Sequence, residues 1–192
     1  MLAQMAREQD QPYGVRLADL HFQIHRTSGD RLPPLKPWLE HRIRLCTHLA
    51  ADETDRIVHL LWSLPDGQTT CHNDFHPDNI MYTEDGPVII DWCDAAAGDR
   101  WADVARTTLI LGGIPFPAGI PEDVVRRMEK LRAACLTDYV RRYAERSGLR
   151  DLPIGLWRVA VAAARLHLEL PGEYGDNMGI VRAWLSGDGQ TI

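Results

Sequence analysis

The chain has 192 residues, 45% of them hydrophobic and 25% charged, with a net charge of −6 and a pI near 5.7. That length and composition fit one soluble globular domain, and the acidic balance disfavours a nucleic-acid partner. No apolar run approaches the roughly 18 residues of a membrane span and the N-terminus lacks a signal-peptide core, so a cytoplasmic protein with no membrane contact is expected. Cys46, Cys71, Cys93 and Cys135 are widely spaced, with no C-x-x-C pair, and read as reduced thiols in or near the core.

In chain order, Met1 to Asp10 is polar and weakly patterned, a frayed helix or linker remnant (residues 1–13). From Gly14, Leu17, Leu20, His21 and Ile24 fall on one face, which predicts a helix to about Arg26. Arg31 to Pro37 is a proline-broken loop. Trp38 to Leu49 and Glu53 to Leu64 read as two amphipathic helices, the second stopped by Pro65-Asp66-Gly67. Ile80 to Tyr82 and Val88 to Ile90 are two short β-type runs around Glu84-Asp85-Gly86-Pro87, the pattern of a hairpin. Arg100 to Leu111 is a helix with Asp99 as its N-cap, ended by Gly112-Gly113. Glu122 to Arg146 is a long helix closed by Gly148, with Val124, Val125, Met128, Leu131, Ala134, Cys135 and Tyr139 on its buried side. Helices over Pro153–Leu170 and Tyr174–Leu185 complete the chain. Trp38, Trp62, Trp101, Trp157 and Trp184 sit at core-compatible positions and read as packing.

The chemistry concentrates between Cys71 and Asp103. A polar loop carries His72, Asp74 and Asn79, and the hairpin that follows returns Asp91 beside them. Two carboxylates and an amide oxygen at one mouth are hard oxygen ligands plus a base, the set that Mg²⁺-dependent phosphoryl transfer needs. Each residue alone has a structural explanation: Asn-Asp is turn-prone, and a lone histidine is more often hydrogen-bonded scaffold than base. The ordered set over some thirty residues is what separates this stretch from a generic loop.

The pattern H-x-D-x-x-x-x-N, an apolar strand ending in I-D-W, then G-D-x-x-x-D resembles the aminoglycoside phosphotransferase and choline kinase branch of the protein-kinase-like fold. Here it is His72, Asp74, Asn79, Asp91, Gly98, Asp99 and Asp103. The resemblance implies Asp74 as catalytic base, Asn79 and Asp91 as holders of the magnesium ions on ATP, His72 as a brace of the catalytic loop, and Asp99 and Asp103 as its anchors from the next helix. Asn73 stands where the family usually has glycine, and asparagine tolerates the left-handed backbone that glycine would supply. Asp78, often glycine too, adds charge beside the metal position.

By that resemblance the fold is mainly α with a small β-hairpin, the C-terminal lobe of the α+β kinase-like fold, with residues 1–192 as one domain. The nucleotide-binding N-lobe is expected to lie outside this chain. Only Lys36 and Lys130 occur against nineteen arginines, neither on a plausible strand, and no glycine-rich segment precedes the motif. A phosphotransferase half, weak or inactive alone, follows, with an N-lobe polypeptide or self-association completing it. The acceptor is a small hydroxyl compound; Asp94, Glu169, Glu173 and Asp176 are candidates to bind a cationic one, although a solvated helix end explains the last three as well. Two other classes stay open. One is a non-catalytic binding module, marked by an exposed apolar patch around Leu17–Ile24 and Trp92. The other is a metal-dependent hydrolase built on His72, Asp74, His76 and Asp91.

Overall fold

The computed structural model describes residues 13–113, 116 and 119–187. The expectation for Met1–Asp10, and part of the loop before Pro121, lie outside the described residues. Seven α-helices and four short strands are described: α1 (Tyr13–Ile24), α2 (Leu35–Arg44), α3 (Ala51–Ser63), β1 (Thr69–Cys71), β2 (Ile80–Thr83), β3 (Gly86–Ile89), β4 (Ala96–Gly98), α4 (Arg100–Gly113), α5 (Glu122–Ser147), α6 (Gly155–Arg165) and α7 (Tyr174–Leu185). Single 3₁₀ turns cover Pro77–Asn79 and Leu166–Leu168. Mainly helical architecture with small antiparallel sheets is therefore as expected.

Helix α4 organises the packing. Ala102 through Leu111 are all buried, so this helix has no solvent face and neighbours surround it on every side. Ala102, Ala105 and Leu109 join a core built with Leu35, Leu39 and Ile43 of α2, Ile57 and Leu61 of α3, Trp157 and Val161 of α6, and Val181 of α7. Val104 and Leu111 turn instead toward Leu17 of α1, Tyr139 and Tyr143 of α5, and Phe75 of the loop after β1. The loop that carries the polar motif thus rests on the central helix of the domain.

Several boundaries differ from the sequence pattern. The helix expected from Trp38 begins at Leu35, because Pro37 falls in its first turn, where an N–H would have no intrahelical partner. It also ends at Arg44, short of Leu49. The helix expected to Leu170 stops at Arg165, and the chain passes through a 3₁₀ turn to Glu169, whose backbone is left-handed at φ 48°. In α5 the expected buried side is fully buried only from Cys135 onward, with Tyr139, Tyr143 and Ala144; Val125, Met128 and Leu131 are partly buried and Val124 is exposed. Trp62 is half exposed, with its indole N–H donated to Glu40, rather than core. Cys93 is likewise exposed, whereas the other three cysteines are buried.

The hairpin forms in register, Ile80 opposite Ile89 and Thr83 opposite Gly86, with Glu84-Asp85 as a two-residue turn. A second antiparallel pair, β1 with β4, was not evident from periodicity: three-residue strands separated by some twenty-five residues leave no alternation to read. It closes the base of the motif, tying Cys71 to Ala96.

Helices α1 and α5 approach closely at Gly14, where an added Cβ would overlap the Cys135 carbonyl oxygen and lie 2.8 Å from Tyr139 N. Gly14→Ala should therefore force the two helices apart and lower the unfolding free energy by about 1–3 kcal/mol, measured by urea denaturation.

Candidate active site

The residues from His72 to Asn79 form a loop fixed from below by Asp103 of α4. Asp103 is fully buried; its Oδ2 accepts from His72 N at 2.5 Å and its Oδ1 from Asn73 N at 2.9 Å. His21 Nε2 of α1 and His25 Nε2, just past its end, lie 3.0 and 3.2 Å from the same Oδ2. Behind them, Tyr139 Oη is 2.8 Å from His21 Nδ1 and Tyr143 Oη is 2.5 Å from His25 Nδ1. Burial pushes the Asp103 carboxyl upward, but its hydrogen bonds and charge interactions with His21 and His25 outweigh this and hold it well below the usual carboxylate range. Burial, with the charge of His25, pushes His21 down to about 4 against the pull of Asp103. At neutral pH the centre is an ionised carboxylate against a neutral His21, each nitrogen of which has a neighbour.

With its backbone held this way, Asn73 adopts φ 62°, the left-handed conformation anticipated for a residue in glycine's place. It also acts as a junction. Its amide Nδ2 donates to Asp94 O at 2.9 Å, and its carbonyl accepts from Arg106 Nε at 2.7 Å.

Asp74 follows, with three neighbours on its carboxylate. Arg106 Nη2 donates to Oδ1 at 3.1 Å, while Asn79 Nδ2 and His76 Nε2 lie 3.3 and 3.5 Å from Oδ2. Burial alone would raise this carboxyl, yet the bond from His76 and the charge of Arg106 bring it below the ordinary range, so Asp74 is ionised at neutral pH. Arg106 was not among the residues singled out from the sequence. It is buried inside α4, and only the packing of that helix under the loop brings it to Asp74.

Asn79 donates its Nδ2 to Asp74 O at 2.8 Å, and its Oδ1 has no hydrogen bond to any described residue. Ile90 N bonds Asn79 O at 3.0 Å, so Asp91, one residue on, emerges beside the Asn79 turn. Asp91 lies two residues past β3 with a left-handed φ of 63°, exposed, and in no ion pair among the described residues. His72 braces this junction: Nδ1 accepts from Asp74 N at 3.3 Å, Nε2 donates to Ile90 O at 3.0 Å, and the ring lies against Trp92 with centroids 4.5 Å apart. Asp99 caps α4 through Trp101 N at 2.9 Å, as its sequence position predicts. Its carboxylate makes no direct bond to the loop among the described residues, so the direct anchoring falls to Asp103.

Three of the four carboxylates expected to receive a cationic acceptor have cationic or imidazole partners of their own, and Asp176 has no ion pair among the described residues. Asp94 Oδ1 accepts from Arg42 Nη2 at 3.0 Å, Glu169 meets His48 Nε2 at 2.7 Å, and Glu173 takes both Nε and Nη2 of Arg165 on one oxygen. Among the described residues, His21, His25 and Asp103 are the histidine-carboxylate group with metal-ligand spacing. That group contains none of His72, Asp74, His76 and Asp91, so the hydrolase set is not assembled as a metal cage.

Asn79 Oδ1, with no hydrogen bond to a described residue, and the exposed Asp91 carboxylate, whose neighbour is the Cys93 thiol and no cation, are hard oxygen donors on adjoining segments. They fit Mg²⁺, which takes one or two protein oxygens and completes its shell with phosphate and water. A loop carboxylate, an amide oxygen and a second carboxylate thus stand on neighbouring turns of one stretch of chain. The chain matches the model of the phosphotransferase enzyme family over residues 3–152 and belongs to that family. No curated protein matches it. Among the described residues, no helix is long and apolar enough to cross a membrane.

Two outcomes test these electrostatics. Arg106→Leu removes the cation beside Asp74 and should raise its carboxyl pKa by at least about one unit, read by NMR titration of the carboxylate carbon. For His21, the folded value near 4 lies below the ordinary 6.5, so the unfolded chain binds the proton first as pH falls. The stability present above pH 6.5 should be lost between pH 6.5 and 4, on the order of 3 kcal/mol for this one group. Urea melts across that range should show a slope that His21→Gln flattens.

Proposed function

We propose that this chain is a small-molecule phosphotransferase that uses Mg²⁺ and ATP to phosphorylate a substrate hydroxyl, with Asp74 as the base. The observation that carries the reading is the state of the Asp74 carboxylate: ionised, fixed by Arg106 and Asn79, and set one hydrogen-bonded turn from the Asn79 amide oxygen and the exposed Asp91 carboxylate, neither of which meets a cation. Asn79 and Asp91 would hold magnesium, which supplies charge neutralisation on the transferring phosphate. Asp74 accepts a hydrogen bond from the acceptor hydroxyl, aims its oxygen, and takes the proton as the new bond forms. Its depressed pKa suits orientation more than strong basicity, in keeping with a loose transition state in which the proton leaves late. His72 and Asp103 keep the loop from relaxing, and positioning of this kind supplies much of the rate in such transfers, up to roughly 7–11 kcal/mol when both reactants are held.

A phosphate-gripping lysine is expected in this chemistry, and neither lysine fits that task. Lys36 Nζ is committed to Leu64 O at 2.5 Å and Asp66 at 2.8 Å, and Lys130 lies on α5. We therefore place that lysine outside the described residues, on an N-lobe, and expect weak transfer by these 192 residues unaided. Met81, Tyr82, Val88, Ile90 and Trp92 are exposed on and after the hairpin, next to Asp91, and would be covered by such a partner. The same patch favours the second reading, a binding module, although Leu17 and Ile24 of α1 are buried and do not extend it.

Mn²⁺–ATP titrated into isotope-labelled protein should broaden the amide signals of residues 79–80 and 90–92, and Asp91→Ala should abolish the effect. Transfer to an acceptor, with the completing partner added, should fall at least about 10²-fold in Asp74→Asn. Broadening that ignores Asp91, or transfer that survives Asp74→Asn, would overturn the proposal.

A further inference from the structure

The acceptor side of Asp74 is framed by arginine. A continuous set of contacts runs from Arg106, on Asp74 Oδ1, through the Asn73 carbonyl and Nδ2 to Asp94, and from Asp94 Oδ1 to Arg42. Arg165 stands close enough to Arg106 that their like charges, after burial, help bring the Arg106 guanidinium down to about 10. His167, just past α6, reports the same field. Its imidazole is pushed down first by burial, against a backbone bond, and then by the charges of Arg42, Arg106 and Arg165.

These guanidiniums are pre-arranged. Arg42 lies over the Trp38 ring at 4.0 Å and is fixed by Asp94. Arg165 has a side chain only 6% exposed and places Nε and Nη2 on one oxygen of Glu173. In both, Nη1 has no hydrogen-bond partner among the described residues. A planar fork held rigid with open donors is suited to an oxyanion, because little side-chain freedom remains to be lost on binding. A cationic acceptor would find Asp94 and Glu173 already matched by arginine.

We infer that the acceptor is a hydroxyl compound bearing a carboxylate or phosphate near the reacting hydroxyl, and that Arg42 and Arg165 hold this oxyanion while Asp74 takes the hydroxyl. This rests on the phosphotransferase reading for the identity of the hydroxyl as acceptor, but the anion site can be measured without nucleotide.

The probes are glucuronate, glucose 6-phosphate, glucose and glucosamine, one skeleton in anionic, neutral and cationic forms. Each is titrated into the protein without ATP, followed by the arginine Nε–H signals, assigned with single variants. Glucuronate or glucose 6-phosphate should bind at least about tenfold more tightly than glucose, with glucosamine weakest, and should move the Arg42 and Arg165 signals. The tighter of the two anions assigns carboxylate or phosphate. Arg42→Gln and Arg165→Gln should each weaken the anion about tenfold; should the buried Arg165 variant fail to fold, the half-exposed Arg42 variant decides. Equal affinities, a preference for glucosamine, no binding of either anion, or anion shifts elsewhere would overturn the inference. Loss of the Mn²⁺–ATP effect with anion binding intact would instead count against the phosphotransferase reading alone.

Discussion

The contact on which the rest depends is the buried carboxylate of Asp103 against the backbone N–H groups of His72 and Asn73. A loop of polar residues would otherwise sample many conformations. Two charge-assisted bonds from one rigid acceptor fix its first two residues and force Asn73 into the left-handed region. An ionised carboxylate with no exposure is costly unless fully matched, and His21 and His25 complete the matching, themselves met by Tyr139 and Tyr143. The anchor therefore spans three helices, α1, α4 and α5, before it reaches the loop. Loosening any of them would be felt at Asp74.

That arrangement explains why α4 carries polar residues within a wholly buried helix. Asp103, Arg106 and Thr107 lie within five positions of one another and all point to the motif loop: Asp103 to its first amides, Arg106 to Asn73 and Asp74, Thr107 Oγ1 to the Phe75 carbonyl at 2.9 Å. Helical spacing puts i, i+3 and i+4 on one face, so a single helix face reads the backbone and side chains of four consecutive loop residues. The apolar remainder of α4 joins the two halves of the core. Core packing and site geometry are thus set by the same element, and substitutions in α4 should rarely affect one without the other.

Charge around the site divides by direction. On the hairpin side, the Asn79 amide oxygen and the Asp91 carboxylate meet no cation and stand beside an exposed apolar patch. Toward α6, guanidiniums dominate, each held by a carboxylate. Asp74 stands between them with one oxygen on each kind of neighbour, Arg106 on Oδ1 and Asn79 on Oδ2. A carboxylate placed this way keeps its proton-free form and a fixed direction.

By itself the sequence determined the helical class, most helix positions, the hairpin and the ordered set His72, Asp74, Asn79, Asp91, Asp103, because these depend on local periodicity, turn residues and spacing within one short stretch. Asn73 in the left-handed region and Asp99 as a cap were legible for the same reason: each answers to its own backbone neighbours. Tertiary structure alone decided what stands beside Asp74. Arg106 reads in sequence as one more residue of an amphipathic helix, and Arg42 and Arg165 are far from it along the chain. The partners of Asp94, Glu169 and Glu173 were equally invisible, so an apparently acidic surface proved to be a set of ion pairs. Pairing across long separations, as in β1 with β4 or His21 with Asp103, leaves no local pattern, since the free energy that fixes it comes from burial shared among helices rather than from any one segment.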